Sequence, residues 1–367
     1  MLKQYRLRDY KFRLVAWVIA LSVLGILIIG SADKDVQQKQ IIGLIGGLVL
    51  MVIVSLIDYV WLLKFYWILY FVGIALLGAV IVRGTSANGA TRWLVIAGIQ
   101  IQPSDIMKII MIMFFAQFFS KHENHLNTLR IILLSVLIVI VPLILIYRQP
   151  NLSTSILTMI LFCILYYVAG LSYKIIGGMI AVSIPIIPIA VNLLLNPNQT
   201  IVHGYQLVRV LAWLYPDQYP DQAAQQLNSI VAIGSGQLYG KGLDTTAVES
   251  VKNGNFLAEA QTDFIFAVAG EELGFLGCCI IVMLELLIAI ECFYIGQNAR
   301  EMSGKLICCG MGALIGVQSI MNIFVATGLM PNTGLPLPFV SSGLTSLMTL
   351  FIGIGLVLNV GLQVKKY

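Results

Sequence analysis

The run IILLSVLIVIVPLILIY, residues 131–147, decides the fold class of this chain. It contains no charged residue, does not alternate between apolar and polar positions, and approaches the roughly 20 apolar residues that a helix needs to cross a bilayer. Similar runs recur along all 367 residues, of which 59% are hydrophobic and 11% charged, against about 25% charged in an ordinary soluble domain. So few charges cannot cover a soluble globule, and long non-alternating runs favour helices over a β-barrel. We therefore predict an all-α polytopic membrane protein.

About ten transmembrane helices are expected in a single integral membrane domain, 1–367. Their predicted positions are near 12–31, 41–57, 65–82, 104–119, 131–147, 153–170, 175–196, 264–296, 305–327 and 343–362. The polar stretch 197–263 is then one long extracytoplasmic loop between helices 7 and 8. Loops of this length are usually functional. Its amphipathic part, GYQLVRVLAWLYP at 204–216, predicts short helices along the membrane surface.

Lys and Arg residues are unevenly divided between the two sides of these spans. One side carries Lys3, Arg6, Arg8, Lys11, Arg13, Lys64, Lys121, Arg130, Lys174, Arg300, Lys305, Lys365 and Lys366. The short loops of the other side carry Lys34, Lys39, Arg83, Arg92 and Arg148. Basic residues accumulate on the cytoplasmic side, so both termini are predicted to be cytoplasmic. Clusters beside apolar runs are topology signals, and no nucleic-acid partner is expected.

Asp263 is the residue that most suggests chemistry. It stands where the polar loop meets the apolar run of the eighth span, with Glu259 four residues before it and Thr262 beside it. If the helix begins near Thr262, Asp263 lies in the first turn, where the helix dipole favours a carboxylate. One interpretation is therefore a helix-capping acid. The other is a carboxylate at the boundary of water and membrane that accepts a proton from a hydroxyl.

A second constellation is GATRWLVIAGIQIQPSDIMK at 89–108. Asp105 and Lys108 are three residues apart, so they share one helix face, and a charged pair inside a membrane is expected to neutralise itself. Two roles for Asp105 and Lys108 stay open, a structural ion pair and a contact to the substrate. Arg92, next to Trp93, is an interfacial anchor by default and a phosphate ligand if it faces a cavity.

Two further segments have an unusual backbone composition. NSIVAIGSGQLYGKGL at 228–243 is glycine-rich but lacks P-loop spacing, and Lys241 is its one positive charge. TGLMPNTGLPLPFVSSGLTS at 327–346 requires irregular backbone at membrane depth, which persists only where it lines a cavity or is buried in protein. The predicted orientation puts these segments on the same face as Asp263, which indicates a single outward-facing site. The three histidines provide no metal triad.

These motifs together resemble the SEDS family (shape, elongation, division and sporulation) of peptidoglycan glycosyltransferases, and most closely its RodA branch. The resemblance covers essentially all ten spans. It is carried by GATRW and QPSD with Lys108, RQPNLST at 148–154, GYQLVRVLAWLYP, NSIVAIGSGQLYGKG, AEAQTDFIFAVAGEELGFLG at 258–277, and NTGLPLPFVSSGLTS at 332–346. Asn151 stands where the family has Asp, and Asp105 where it has Glu, so a charge at Asn151 is lost.

The resemblance implies an enzyme of the bacterial cytoplasmic membrane, a multi-pass protein that polymerises lipid II into glycan strands for cell elongation and shape. The reaction would invert the anomeric centre and release undecaprenyl pyrophosphate. The TDF motif implies Asp263 as the catalytic base. The substrate-binding candidates are Arg92, Asp105, Lys108, Arg209, Lys241, Glu259, Thr262 and Ser341.

The resemblance also implies partners. A class B penicillin-binding protein, which is a transpeptidase, and other elongation-complex membrane proteins are expected. No resident cofactor is required, although a divalent cation (Mg²⁺ or Mn²⁺) could assist the pyrophosphate. Three alternatives stay open from the sequence: a flippase for the lipid-linked precursor, a scaffold, and a division or sporulation paralogue of the same family.

Overall fold

The computed structural model of the chain describes residues 9–87, 90–96, 99–178, 204–243, 257 and 260–363. Its helices in chain order are α1 (Phe12–Ala32), α2 (Lys34–Leu56), α3 (Tyr59–Leu63), α4 (Tyr66–Arg83), α5 (Pro103–Lys121), α6 (Leu129–Arg148), α7 (Leu152–Ala169), α8 (Gly204–Leu214), α9 (Pro220–Ser235), α10 (Ile265–Gln297), α11 (Met302–Ala326) and α12 (Leu344–Leu362). Residues 173–178 are also helical. Single turns of 3-10 helix are present at Glu123–His125 and Pro216–Gln218.

Among the described residues, nine helices are long and apolar enough to cross a membrane. They coincide with nine of the predicted spans, which confirms the polytopic helical fold. The largest difference is at α2, which begins at Lys34 rather than near residue 41. The reason is a cap, because the side chain of Asp33 accepts hydrogen bonds from the backbone N–H groups of Asp35 and Val36 and so starts the helix in a polar stretch. The predicted span 175–196 lies outside the described residues beyond its first turn.

The core of the bundle is formed by α5, α11 and α12. In the most apolar window of α5, 83% of the residues are buried, against 28% in α2 and in α4. α11 packs against α5, α7 and α10, and α12 packs along α2. The peripheral helices therefore present one side to the bundle and one side outward, as helices in lipid do.

The long helices begin and end at two ends of the bundle. At one end, Arg13 pairs with Glu291 at 2.8 Å, and the backbone N–H of Tyr59 donates to Asn359 Oδ1 at 2.9 Å. At the other end, the beginnings of α7, α10 and α12 meet the end of α11. We call this second end the site end.

α10 is interrupted near the site end. Gly274 has φ +65° and ψ −164°, a conformation that other residues rarely adopt, and the helix resumes after it. The turn that follows α9 satisfies the backbone groups that this break releases. The N–H groups of Phe275 and Leu276 donate to the carbonyls of Gln237 and Leu238 at 2.8 and 3.2 Å. The glycine-rich run thus allows the backbone of the turn after α9 to pack against the backbone of α10.

The connection from α4 to α5, predicted only as a loop, contains a small antiparallel sheet with strand order β1-β2-β3. The strands are β1 (Thr85–Ala87), β2 (Ala90–Ile96) and β3 (Ile99–Ile101). Its residues include Thr, Val and Ile, whose branched side chains suit extended backbone. The sheet matters for the site because β2 carries Arg92. α8 and α9 lie within the described part of 197–263, which confirms short helices there; their position along the membrane surface stays a prediction.

Candidate active site

The site is built around the irregular connection between α11 and α12. Leu335 and Leu337 of this segment are 3% and 1% exposed, so its backbone polar groups need partners inside the protein. α11 supplies two of them from side-chain amides one turn apart. Gln318 Nε2 donates to the carbonyl of Pro336 at 2.8 Å, and Asn322 Nδ2 donates to the carbonyl of Leu335 at 2.7 Å.

The second half of the segment is held by Ser341 and by Gln40 of α2. The hydroxyl of Ser341 accepts from the N–H of Leu337 at 2.7 Å. Gln40 Nε2 donates to the carbonyl of Ser341 at 3.1 Å, while its Oε1 accepts from the N–H of Gly343 at 3.2 Å. A single buried amide therefore fixes the point at which α12 begins.

The same groups position the backbone of Asp263. Its carbonyl accepts from Asn322 Nδ2 at 2.8 Å, and the carbonyl of Thr262 accepts from Ser341 Oγ at 2.6 Å. α10 begins at Ile265, within one residue of the predicted span 264–296. The carbonyls of Thr262 and Asp263 before it accept from Ser341 of the α11–α12 connection and from Asn322 of α11. The capping position belongs to Phe264, which makes no side-chain cap bond, so Asp263 is not the capping residue.

The carboxylate of Asp263 lies beside two guanidinium groups at Gly334. A Cβ atom built on Gly334 would be 3.3 Å from Asp263 Oδ2 and 3.8 Å from Nη1 of both Arg92 and Arg209. Gly334 has φ +69°, in the left-handed region that suits glycine. The missing side chain leaves room at this point, so one carboxylate and two cations share one space. Such a space can hold a hydroxyl to be deprotonated and an anionic leaving group together.

Arg92 and Arg209 reach this point from distant parts of the chain. Arg92 comes from β2, and its Nη2 donates to the carbonyl of Pro150, just before α7. Next to it, Ser153 Oγ of α7 donates to the carbonyl of Thr333. Arg209 comes from α8 in the long loop and is partly buried. The beginning of α7 therefore links the sheet to the residue before Gly334.

Asn151 has a structural role in this link. It caps α7, with its Oδ1 accepting from the N–H of Thr154 at 3.3 Å. An amide oxygen performs this task without a charge.

Asp105 and Lys108 form the predicted pair on α5. Lys108 Nζ lies 2.9 Å from Asp105 Oδ1, and both side chains are almost fully buried. Lys108 also donates to Gln318 Oε1 at 3.0 Å, and Gln318 in turn holds the carbonyl of Pro336. The pair therefore supports the irregular segment through Gln318.

Lys241 is engaged elsewhere. Its Nζ lies 2.8 Å from Glu271 Oε1, and its N–H donates to the carbonyl of Glu271 at 2.9 Å. Glu271 lies in α10, so Lys241 pairs with a different carboxylate from the one at Gly334. Glu259 lies outside the described residues.

A metal is not supported by the side chains at this point. The described residues contain no group of three His, Cys, Asp or Glu side chains that could hold an ion. The described charged groups that share the space at Gly334 with Asp263 are guanidinium groups, which repel a cation. We therefore derive no step through Mg²⁺ or Mn²⁺.

Sequence reasoning did not single out Gly334, Gln318, Asn322 or Gln40. The sequence signal that could have identified the amides is a polar side chain inside an apolar run. Gln318 and Asn322 are such residues, four positions apart in one span. Their partners could not be assigned, because both amides bind backbone carbonyls, which have the same chemistry at every residue.

Comparisons with known proteins show similarity along most of the chain. The family model FTSW_RODA_SPOVE, described as cell cycle protein, matches residues 11–366. The probable peptidoglycan glycosyltransferase FtsW of Trichlorobacter lovleyi is 31% identical over 363 residues, covering 93% of this chain and 90% of the relative. Peptidoglycan glycosyltransferase MrdB of Escherichia coli is 33% identical over 330 residues, covering 89% and 86%. A solved structure described as structural coordination of polymerization and crosslinking by a peptidoglycan synthase complex matches with TM-score 0.80 at 28% identity, covering 96% of this chain and 97% of that one.

Proposed function

The chain belongs to the FtsW, RodA and SpoVE family of cell cycle proteins, and from this premise we propose that it is a peptidoglycan glycosyltransferase that polymerises lipid II. The observation that carries the proposal is the meeting of Asp263, Arg92 and Arg209 at Gly334, in a chain whose relatives are named peptidoglycan glycosyltransferases. A polymerase of this kind needs one base and a cationic surface for a pyrophosphate, and this space supplies both.

In the proposed mechanism, Asp263 accepts the proton of a sugar hydroxyl on one lipid-linked disaccharide. The hydroxyl oxygen attacks the anomeric carbon of the second substrate, and the bond from that carbon to the lipid pyrophosphate breaks. A single direct attack inverts the anomeric centre. The guanidinium groups of Arg92 and Arg209 offset the charge that develops on the departing pyrophosphate. Pyrophosphate leaves without protonation, so no second carboxylate is needed.

The remaining candidates fall into two groups. Thr262 and Ser341 hold the backbone next to Asp263, and Asp105 with Lys108 supports the segment that carries Gly334, so we propose positioning roles for these four. Lys241 and Glu259 remain predicted substrate contacts.

We further propose that the site end faces outward from the bacterial cytoplasmic membrane and that both termini are cytoplasmic. The support is the distribution of Lys and Arg residues, which flank the opposite end of the bundle. A class B penicillin-binding protein is the proposed partner, since the similar solved structure is described as coordinating polymerization with crosslinking. The RodA-like motifs favour a role in cell elongation and shape.

The proposal is tested with purified chain in lipid vesicles, supplied with lipid II and assayed for glycan strands on gels, with and without the transpeptidase. Asp263→Asn keeps the size of the side chain and removes the base, so we expect about a 10²–10⁴-fold loss of rate. Asp217→Asn is the matched control, because it removes an exposed carboxylate from the same loop. Its rate should equal the wild-type rate.

Two results would contradict the assignment. If Asp263→Asn forms glycan strands at the wild-type rate, Asp263 is not the base. If the vesicles translocate labelled lipid II without polymerising it, and Asp263→Asn translocates it equally well, the flippase alternative replaces the enzyme.

A further inference from the structure

An open cavity with both polar and apolar side chains in its lining lies at the end of the bundle opposite to the site. It has a volume of about 690 Å³, and its lining includes Tyr167, Ser172, Tyr173, Lys174 and Lys305. The end of α7 and the beginning of α11 form its walls. The other ends of these same helices lie at the site end, where Ser153 of α7 donates to the carbonyl of Thr333, so the cavity is separated from the active site by the length of the bundle.

The cavity holds two positive charges that no described carboxylate neutralises. Lys174 and Lys305 are both exposed. In the part of the chain that the structure describes, no carboxylate oxygen lies within 4.0 Å of either ammonium group. The nearest acid in sequence to Lys305 is Glu301, which instead accepts from Ser303 Oγ at 3.5 Å. Two unneutralised ammonium groups in one concave site favour an anion.

The remaining lining suits an amphipathic ligand rather than a free ion. The rings of Tyr167 and Tyr173 are 6.2 Å apart and nearly perpendicular, and both side chains are exposed. Val168 and Leu171 add apolar surface beside them. Tyrosines with an apolar ring and a hydroxyl are typical of the boundary between lipid and water. A ligand here would meet cations and hydroxyls at one end and apolar side chains at the other.

The wall of the cavity is fixed by the neighbouring loop. Asn127 Oδ1 accepts from the N–H of Ser172 at 2.7 Å, and Asn127 Nδ2 donates to the carbonyl of Gly170 at 3.3 Å. Below it, the hydroxyl of Tyr166 donates to the carbonyl of Leu126 at 2.7 Å. The turn after α7 is therefore held in one conformation, so little ordering is required when a ligand binds.

We propose that this cavity binds the headgroup of an anionic phospholipid. The phosphodiester would accept hydrogen bonds from Lys174 and Lys305, and the first carbons of the acyl chains would contact Val168 and Leu171. Basic pockets between membrane helices on the cytoplasmic side are suited to such headgroups, and anionic lipids are concentrated at that surface. The proposed orientation puts the cavity there. The site is independent of the lipid II polymerase assignment.

The test measures how much phosphatidylglycerol the full chain retains, by native mass spectrometry from nanodiscs of phosphatidylcholine with a minority of phosphatidylglycerol. The double variant Lys174→Gln with Lys305→Gln should bind it about 30-fold more weakly. Lys64→Gln with Arg130→Gln is the matched control, since it removes two exposed cations from the same end outside the cavity. The charge-conserving variant Lys174→Arg with Lys305→Arg should retain the lipid.

A second readout is the unfolding temperature, which rises when a ligand binds only the folded state. Phosphatidylglycerol should raise it for the wild type and for the control variant but not for the Lys174→Gln, Lys305→Gln variant. Inorganic phosphate in phosphatidylcholine nanodiscs should leave it unchanged. Equal lipid retention by the double variant and its control would overturn the proposal, as would an equal effect of inorganic phosphate.

Discussion

Gly334→Ala adds one methyl group at the point where the three charged side chains meet. The new Cβ atom would be 3.3 Å from Asp263 Oδ2, a spacing at which the neighbour must move by a few tenths of an ångström. The residue also has φ +69°, which costs an L-residue about 1–2 kcal/mol. The substitution therefore strains the backbone and displaces the carboxylate, while no charged residue is replaced.

The effect on rate follows from the displacement. A misplacement of about 1 Å in a reacting group costs about 10²-fold in rate. A shift of a few tenths of an ångström, together with the space lost to a substrate hydroxyl, should reduce lipid II polymerisation by about 10- to 100-fold. The assay is the gel-based polymerisation assay with purified protein in vesicles, with the unfolding temperature measured in parallel.

Gly242→Ala is the control that separates strain from crowding. Gly242 has φ +92°, and a Cβ atom added there would meet nothing within 4 Å. Both variants should lower the unfolding temperature, but only Gly334→Ala should lose most of its rate. If Gly334→Ala polymerises lipid II at the wild-type rate, or if Gly242→Ala loses as much activity, then proximity of Gly334 to Asp263 does not control the chemistry.

Two further substitutions test the supports of the site. Asn322→Leu removes the donors to the carbonyls of Asp263 and Leu335, which should cost about 1–3 kcal/mol of stability for each carbonyl left without a partner. The unfolding temperature and the polymerisation rate should therefore both fall. An unchanged unfolding temperature would argue against this support. Lys108→Met leaves the Asp105 carboxylate buried without its cation, at about 3–5 kcal/mol, and should reduce membrane yield, which Asp105→Asn in the same chain should restore in part. Normal yield of Lys108→Met with lost polymerisation would instead give Lys108 a substrate role.

The helices could be predicted from the sequence because their signal is local. An uninterrupted apolar run such as 131–147 specifies a span by length and composition alone, and α6 lies at Leu129–Arg148. The start of α2 was missed because a polar first turn carries no apolar signal, although Asp33 caps it. The sheet of β1, β2 and β3 was missed because its strands are short and stand among turn residues.

The residues of the site could be predicted from the sequence, but the sequence did not show which of them lie together. The sequence makes all four cations, Arg92, Lys108, Arg209 and Lys241, candidates for binding the substrate. The structure separates them, since Arg92 and Arg209 reach Gly334 while Lys108 pairs with Asp105 and Lys241 with Glu271. These contacts join segments far apart in the chain, and their formation depends on how the helices pack.

The three buried amides explain why irregular backbone can exist at this depth, because each of them makes its direct contacts to that backbone with a neutral group. Gln40 and Gln318 each donate to one group and accept from another, and Asn322 donates to two carbonyls, which a carboxylate could not do. Such neutral groups satisfy the backbone and add no electric field at Gly334. The two kinds of substitution should therefore separate experimentally. Asn322→Leu changes the geometry and should lower stability and rate together, whereas Asp263→Asn leaves these supporting bonds intact and should lower the rate at constant stability.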